Sequence, residues 1–489
     1  MTPLCDLSAT DASRLMRAKQ ISPVELLDSH IARIETIDHA INAMVARDFD
    51  RARHAARAAE TAILRGATLG PLHGLPIGIK DLEDTEGLRT TYGSPRFANH
   101  VPSADQHLVR SIRAAGGIIL GKTNTPEFGA GANTINAVYG ATGNPFDPLK
   151  SAAGSSGGSA AALATSMVSL ATGSDMGGSL RNPAAFCGIV GMRPSPGAVP
   201  SEKRLLGASG LSVLGPMARS VDDLLLLYRA IEGDDTRDML SFPYQNHESP
   251  TNIDLSRLRI AYSADLGFTP TSQAVRQVFA DKLNRLTPLL GSPTPAHPNC
   301  TGADDSFAVL RAVNFLAAFL PAYRRDPTSV GANIRTNLEE GLRYSATDVA
   351  EALAIQTRLY QNWQRFFTEY DLLITPSVTI TPRPWTELYP TAIDDQPTRS
   401  YYHWLALAYA VTLVGHPAIS LPIGRDQTGM PFGIQLIAPR HQDHRLIAIA
   451  AAFEAACTSD PSLSRPQPDI TKLKNAGPLR DAPGFKPPY

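Results

Sequence analysis

At 489 residues, 43% of them apolar and 19% charged, the chain can bury one large core or two modest ones, which excludes disorder for most of its length. Its 45 basic and 46 acidic side chains leave a formal charge of −1, so no global field draws it to nucleic acid or an anionic membrane, and the expected partner is a small molecule. Four scattered cysteines (Cys5, Cys187, Cys300, Cys457) exclude a disulfide framework and lack the paired spacing of a zinc or redox site.

Residues 1–20 carry no basic segment followed by an apolar run, and no stretch of about 18 uncharged apolar residues follows anywhere. The expectation is an unprocessed cytoplasmic protein with no membrane span. Residues 1–460 read as one domain. Within it, 1–70 is helical: Ser22-Pro23-Val24-Glu25 is a capping box with proline at the first helical position, followed by Leu26, Leu27, His30, Ile31 and Ile34 at helical spacing. Residues 74–231 alternate short apolar runs with helical stretches such as 108–115 and 221–231, the texture of an α/β core. Residues 234–367 are helix-rich and read as a cap or insertion. The part at 370–460 supplies closing strands, 370–376 and 418–422, and a helix. The proline-rich tail 461–489 is expected to wrap the surface or hang free. No internal repeat is found.

The most unusual stretch is 153–184, where two Gly/Ser-rich loops flank an alanine-rich helix. A flexible linker has similar composition, but would not enclose an apolar Ala160–Ala164 run or end in Leu180-Arg181-Asn182-Pro183. Within it, Asp175-Met176-Gly177-Gly178-Ser179 offers a hydroxyl after two glycines, whose backbone N–H groups can converge on a developing oxyanion. A serine hydroxyl needs a base. His73 reads as a structural or surface histidine. Lys80 is better placed, because alternation along 74–81 sets Leu75, Ile77 and Ile79 on one face and Pro76, Gly78 and Lys80 on the other. Burial there lowers a lysine pKa and yields a neutral amine near pH 7.

Two literal motifs point elsewhere. Residues 116–123 fit GxxxxGK[ST], but the supposed phosphate loop is the strand-like Ile118-Ile119-Leu120 and Pro126 obstructs a following helix. Residues 154–158 fit GxSxG with Ser156 as nucleophile, but 147–153 do not read as the apolar strand a nucleophile elbow requires, and no acid and histidine pair is assignable downstream.

Taken together the motifs resemble the amidase signature family. The match runs from Gly154 through Ser155, Ser156, Gly158, Leu163, Gly173, Asp175, Gly177, Ser179, Arg181 and Pro183 to Ala184, and extends to GLPIGIKD (74–81), GKTNTPEF (121–128), GPMARSVDD (215–223) and the run from Gly415 to Pro439. One position departs: Ala153 stands where the family has glycine, and a slight shift of loop backbone is expected. The resemblance implies one α/β domain with a mixed central sheet covered by helices on both faces. It implies a Lys80-Ser155-Ser179 triad, an oxyanion hole of the Met176, Gly177, Gly178 and Ser179 amides, and a cis peptide bond at Ser155. Ser156, Asp175 and Arg181 become hydrogen-bonding supports, and neither cofactor nor metal is implied.

The implied substrate is a small amide, with esters, hydrazides, ureas or carbamates as alternatives. Phe128 is the favoured pocket residue, and Tyr139, Met176, Tyr401 and Trp404 are further candidates. The absence of charge clusters near the motifs disfavours highly charged substrates. An ammonia-producing, glutaminase-type subunit of a tRNA-dependent amidotransferase would use the same triad and stays open. So does the choice between monomer and homodimer.

Overall fold

The computed structural model describes residues 3–204, 206–243 and 253–486. The N-terminal helices form as their local signals dictate. Ser22 Oγ accepts from Glu25 N (3.1 Å) and Glu25 Oε2 accepts from Ser22 N (2.8 Å), which opens helix Pro23–Ile37; its Leu27, Ile31 and Ile34 are buried.

The core is one sheet of eleven strands: β1 (Met44–Arg47), β2 (Pro76–Lys80), β3 (Ile118–Thr123), β4 (Leu170–Asp175), β5 (Val190–Arg193), β6 (Val213–Ala218), β7 (Ile260–Tyr262), β8 (Thr294–Pro295), β9 (Leu372–Pro376), β10 (Ala418–Arg425) and β11 (Pro431–Ile437). Their order is β1-β3-β2-β4-β6-β5-β10-β11-β9-β7-β8. The sheet is mixed: β2 runs parallel to β3 and β4, whereas β4, β6, β5, β10, β11 and β9 are joined by antiparallel pairings. Helices pack on both faces, as the resemblance implied. One layer of core gathers Ile77, Ile79, Val109, Leu224 and Phe453; the opposite side holds Leu27, Ile31, Leu163 and Val168, and, farther along the sheet, Phe307, Trp363 and Tyr409.

Three features position the site. Alternation along β2 places Ile77 and Ile79 in the first layer, while a Cβ on Gly78 would lie 3.4 Å from Val168 in the other. Lys80 therefore projects with Gly78. Because β2 and β4 are parallel neighbours, with Gly78 opposite Ala171, the loops that follow them open at the same end of the sheet. Between these strands and the loops lies helix Gly157–Ala164, buried along its whole length. Only small residues let it come so close: a Cβ on Gly158 would sit 2.2 Å from Asn124 N.

Some expectations are revised by the fold. The segment 234–367 is helix-rich, with helices Gln273–Leu286, Ala303–Arg325, Ala332–Gly341 and Ala346–Glu369, yet it also contributes β7 and β8 to the main sheet. Asp147–Ser151 forms a strand after all, in a small hairpin with Gly143–Asn144 outside that sheet. Its largely polar, part-exposed residues lack the apolar pattern that marks a core strand. Residues 462–486 lie against the body, burying Leu463, Leu473 and Leu479. Helix Ala303–Arg325 is long and apolar enough to cross a membrane by length and composition, and carries Arg311 in its middle.

Candidate active site

Lys80 is wholly buried at the end of β2, and its ammonium nitrogen is ringed by hydroxyls: Ser155 Oγ at 2.7 Å, Ser156 Oγ at 2.9 Å and Ser174 Oγ at 2.9 Å. Its backbone N–H donates to Thr172 Oγ1 (3.0 Å), which locks the end of β2 to β4. Among the described residues no salt bridge reaches it. Burial pulls its pKa down to about 8, opposed by the charges of Glu83 and Asp175. Ser174 was missed from the sequence, although alternation along β4 would have found it: Thr172 and Ser174 share one face of that strand.

Ser155 and Ser156 belong to the turn that leads into helix Gly157–Ala164, and the Gly154–Ser155 peptide bond is cis. Ser156 N donates to Ser179 O (3.3 Å), so the two serine-bearing loops are tied directly. Gly129 closes one side of Ser155; a Cβ there would stand 3.3 Å from Ser155 Oγ. Ala153, the departure from the family pattern, is buried with φ +56°, in the left-handed region that glycine adopts without cost.

Ser179 is half-buried and faces the same cleft as Ser155 and Ser174. Among the described residues its hydroxyl has no protein hydrogen-bond partner. The loop before it is pinned by Asp175, whose carboxylate accepts from Gly178 N (3.0 Å) and Leu180 N (3.1 Å). The Gly178 amide, expected among the oxyanion donors, is thus spent on Asp175, and the Met176, Gly177 and Ser179 amides are the ones left to the cleft. Gly178 has φ +112°, and a Cβ on it would meet Asn182 Nδ2 at 2.5 Å and Ala408 Cβ at 2.6 Å.

Asp175 is held in turn by Arg181, through Nη2 (2.8 Å) and Nε (3.0 Å), and by Arg193 Nη1 (3.3 Å). Burial alone would raise its pKa, but the two guanidiniums keep the carboxyl well below the usual range. Arg181 also reaches Gln435 Oε1 (2.6 Å), Ala408 O (2.9 Å) and Thr412 Oγ1 (3.2 Å). Arg193, Thr412 and Gln435 come from distant parts of the chain, and nothing local in the sequence singles them out.

The cleft, about 240 Å³, is lined by Phe128, Met176 and Tyr401, together with Leu82, Phe315 and Phe319. Phe128 packs on Phe319, ring centroids 4.9 Å apart. Tyr139 and Trp404 do not line it: the Tyr139 ring lies under the Arg89 guanidinium (5.2 Å), and Trp404 is buried against Phe186. His73 makes a structural hydrogen bond to Ala59 O (3.0 Å). Among the described residues no group of acidic, histidine or cysteine side chains is arranged to hold a metal.

The family model for amidases matches residues 25–447. An acylamidase of Rhodococcus erythropolis is 33% identical over 456 residues, covering 92% of this chain and 95% of its own. The chain belongs to the amidase signature family. It is therefore an amide-hydrolysing enzyme of that family, although its relatives differ in task. A glutamyl-tRNA(Gln) amidotransferase subunit of Carboxydothermus hydrogenoformans is also 33% identical, over 92% of this chain and 96% of its own. Among solved structures, a bacterial aryl acylamidase of the amidase signature family superposes with a TM-score of 0.85 at 26% identity, covering 99% of this chain and 100% of that one.

Proposed function

We propose that the protein is a free-standing hydrolase of small amides that forms an acyl-enzyme on Ser179, with Lys80 as base and Ser155 as proton relay. The observation that carries this reading is the set of three hydroxyls around Lys80. A neutral amine offers two N–H donors and one lone pair. Donation to Ser156 and Ser174 leaves the lone pair to accept the proton of the Ser155 hydroxyl, whose Oγ lies 2.7 Å from Nζ.

Lys80 Nζ takes the Ser155 proton as Ser155 Oγ takes that of Ser179, whose oxygen bonds to the substrate carbonyl carbon. The carbonyl oxygen becomes an oxyanion, received by the Met176, Gly177 and Ser179 amides. When the C–N bond breaks, the proton returns from Lys80 through Ser155 to the leaving nitrogen. Water then adds to the acyl-enzyme by the same relay, giving a carboxylic acid and free Ser179. Ser179 Oγ is not hydrogen-bonded to Ser155, so the relay closes by a turn of the Ser179 side chain within the shared cleft, as catalytic contacts commonly tighten on substrate binding.

The amidotransferase reading is supported by the sequence identity to such subunits. Against it, among the described residues no aspartate or glutamate lines the cleft to receive the α-ammonium of glutamine. The test is intact-mass spectrometry after treatment with a neutral fluorophosphonate. A single adduct mapped to Ser179 and absent from Ser179→Ala supports the proposal; an adduct on Ser156 contradicts it. Gel filtration of the purified chain, with turnover in the absence of partner subunits, separates the free enzyme from the amidotransferase component.

A further inference from the structure

We propose that the substrate is an amide bearing a carboxylate, and that Arg311 is the residue that selects it. The inference rests on the amide-hydrolase reading above and names its substrate class. Arg311 lies on the buried stripe of helix Ala303–Arg325, between Phe307 and Phe315, and forms part of the wall of the cleft that holds Ser155 and Ser179. It is 6% exposed.

A guanidinium has five N–H donors and cannot discharge by losing a proton. Nε donates to Asn337 Oδ1 (3.0 Å), one Nη2 hydrogen to Tyr401 Oη, and Nη1 to the Met176 sulfur at 3.7 Å, a poor acceptor. Among the described residues, two donors remain unspent. No carboxylate lies within salt-bridge distance among the described residues; Glu340 instead accepts from the hydroxyls of Tyr344 (2.9 Å) and Tyr402 (3.0 Å).

The other two cations along the cleft differ. Lys203 is paired with Asp84 and Arg204 with Asp238, whereas Arg311 has no ion-pair partner among the described residues and lies over the faces of Phe315 (4.7 Å), Tyr402 (5.1 Å) and Tyr401 (5.4 Å). Aromatic faces offset part of the cost of burying the charge; a carboxylate held by two N–H bonds does so far better. With no acidic side chain in the lining among the described residues, that carboxylate comes from the ligand. Met176, which Arg311 touches, opens the loop to Ser179, so a carboxylate held by Arg311 registers the rest of the substrate on that loop. The lack of charge clusters in the sequence around the motifs misleads here, because Arg311 is brought in from more than a hundred residues away.

The alternative role for Arg311 is structural, holding Tyr401 and Met176 in place. A matched pair of substrates separates the two: the 4-nitroanilide of succinic acid, and that of 4-methylpentanoic acid, in which an isopropyl group replaces the carboxylate. The wild type should favour the acid in kcat/KM, Arg311→Gln should lower the acid-to-neutral ratio roughly 10- to 100-fold, and Arg311→Lys should restore part of it. Equal losses on both substrates, or no preference in the wild type, overturn the proposal. If neither anilide turns over, glutarate should slow fluorophosphonate labelling of the wild type more than glutaramide does, and Arg311→Gln should abolish that difference; equal protection overturns the proposal. Failure of Ser179 to label at all would instead remove the hydrolase reading and the substrate class with it.

Discussion

Lys80 and Lys122 are buried lysines on adjacent parallel strands, and they have opposite surroundings. In the register Ile79 lies opposite Lys122 and Lys80 opposite Thr123, so the two side chains leave the sheet on opposite faces. Lys122 donates to Glu83 O and Thr85 Oγ1 (3.0 Å), with the charges of Asp81 and Glu83 close by. Lys80 meets three hydroxyls and, among the described residues, bonds to no carboxylate. Burial lowers the pKa of both, but only Lys80 is surrounded by groups that can relay a proton to a substrate. Burial prepares a lysine for base chemistry, and the identity of its partners decides whether it is used.

Substitutions at the two positions should separate these roles. Lys80→Met removes the proposed base while keeping the volume, and should lower kcat about 10²- to 10⁴-fold with little loss in urea midpoint. Lys122→Met removes the strongest buried counter-charge of Asp81 and Glu83 and should cost about 3 kcal/mol of stability, read from denaturant unfolding, with a much smaller effect on kcat measured where the protein is folded. Equal kinetic losses at both sites would break the comparison.

Glu83 sharpens it. Burial pushes its pKa up to about 7, against the pull of Lys122 and Lys80, and its ionised form raises the pKa of Lys80. Glu83→Gln removes that charge, so the neutral amine of Lys80 persists to lower pH. The rising limb of the kcat/KM profile should move toward acid by up to about one unit; an unmoved limb would detach Glu83 from the base. The smallest effect is at the loop entrance. Ala153→Gly relieves the positive φ at some cost in unfolded-chain entropy and should stabilise the protein by about 0.5 kcal/mol, seen as a higher urea midpoint at constant m.

What could be read from the sequence was local. The capping box at Ser22 and Glu25 and the alternation that turns Lys80 away from Ile77 and Ile79 are properties of a few consecutive residues, and the structure shows both. The strand at 118–123 accounts for the false phosphate-loop match, since Lys122 is a buried strand residue. What could not be read depends on chain segments far apart. Arg193 and Gln435 reach the Asp175–Arg181 pair only because β5, β10 and β11 are neighbours in the sheet, and Arg311 reaches the cleft only because its helix folds over the loop that carries Met176. The hairpin strand at 147–151 escaped for a different reason: its polar residues pair outside the core and carry no periodic signal. Trp404 and Tyr139 show the converse error, in which an aromatic near a motif in sequence or composition is core or surface packing in space.

The most direct measurement is the pH dependence of the rate at which a neutral fluorophosphonate labels Ser179. If neutral Lys80 is the base, its protonated form is inactive below its pKa, so the rate should rise about tenfold per pH unit below pH 8 and level off above it. The same profile should be flat and slow in Lys80→Met. A pH-independent rate in the wild type, or a limb unaffected by loss of Lys80, would contradict the assignment.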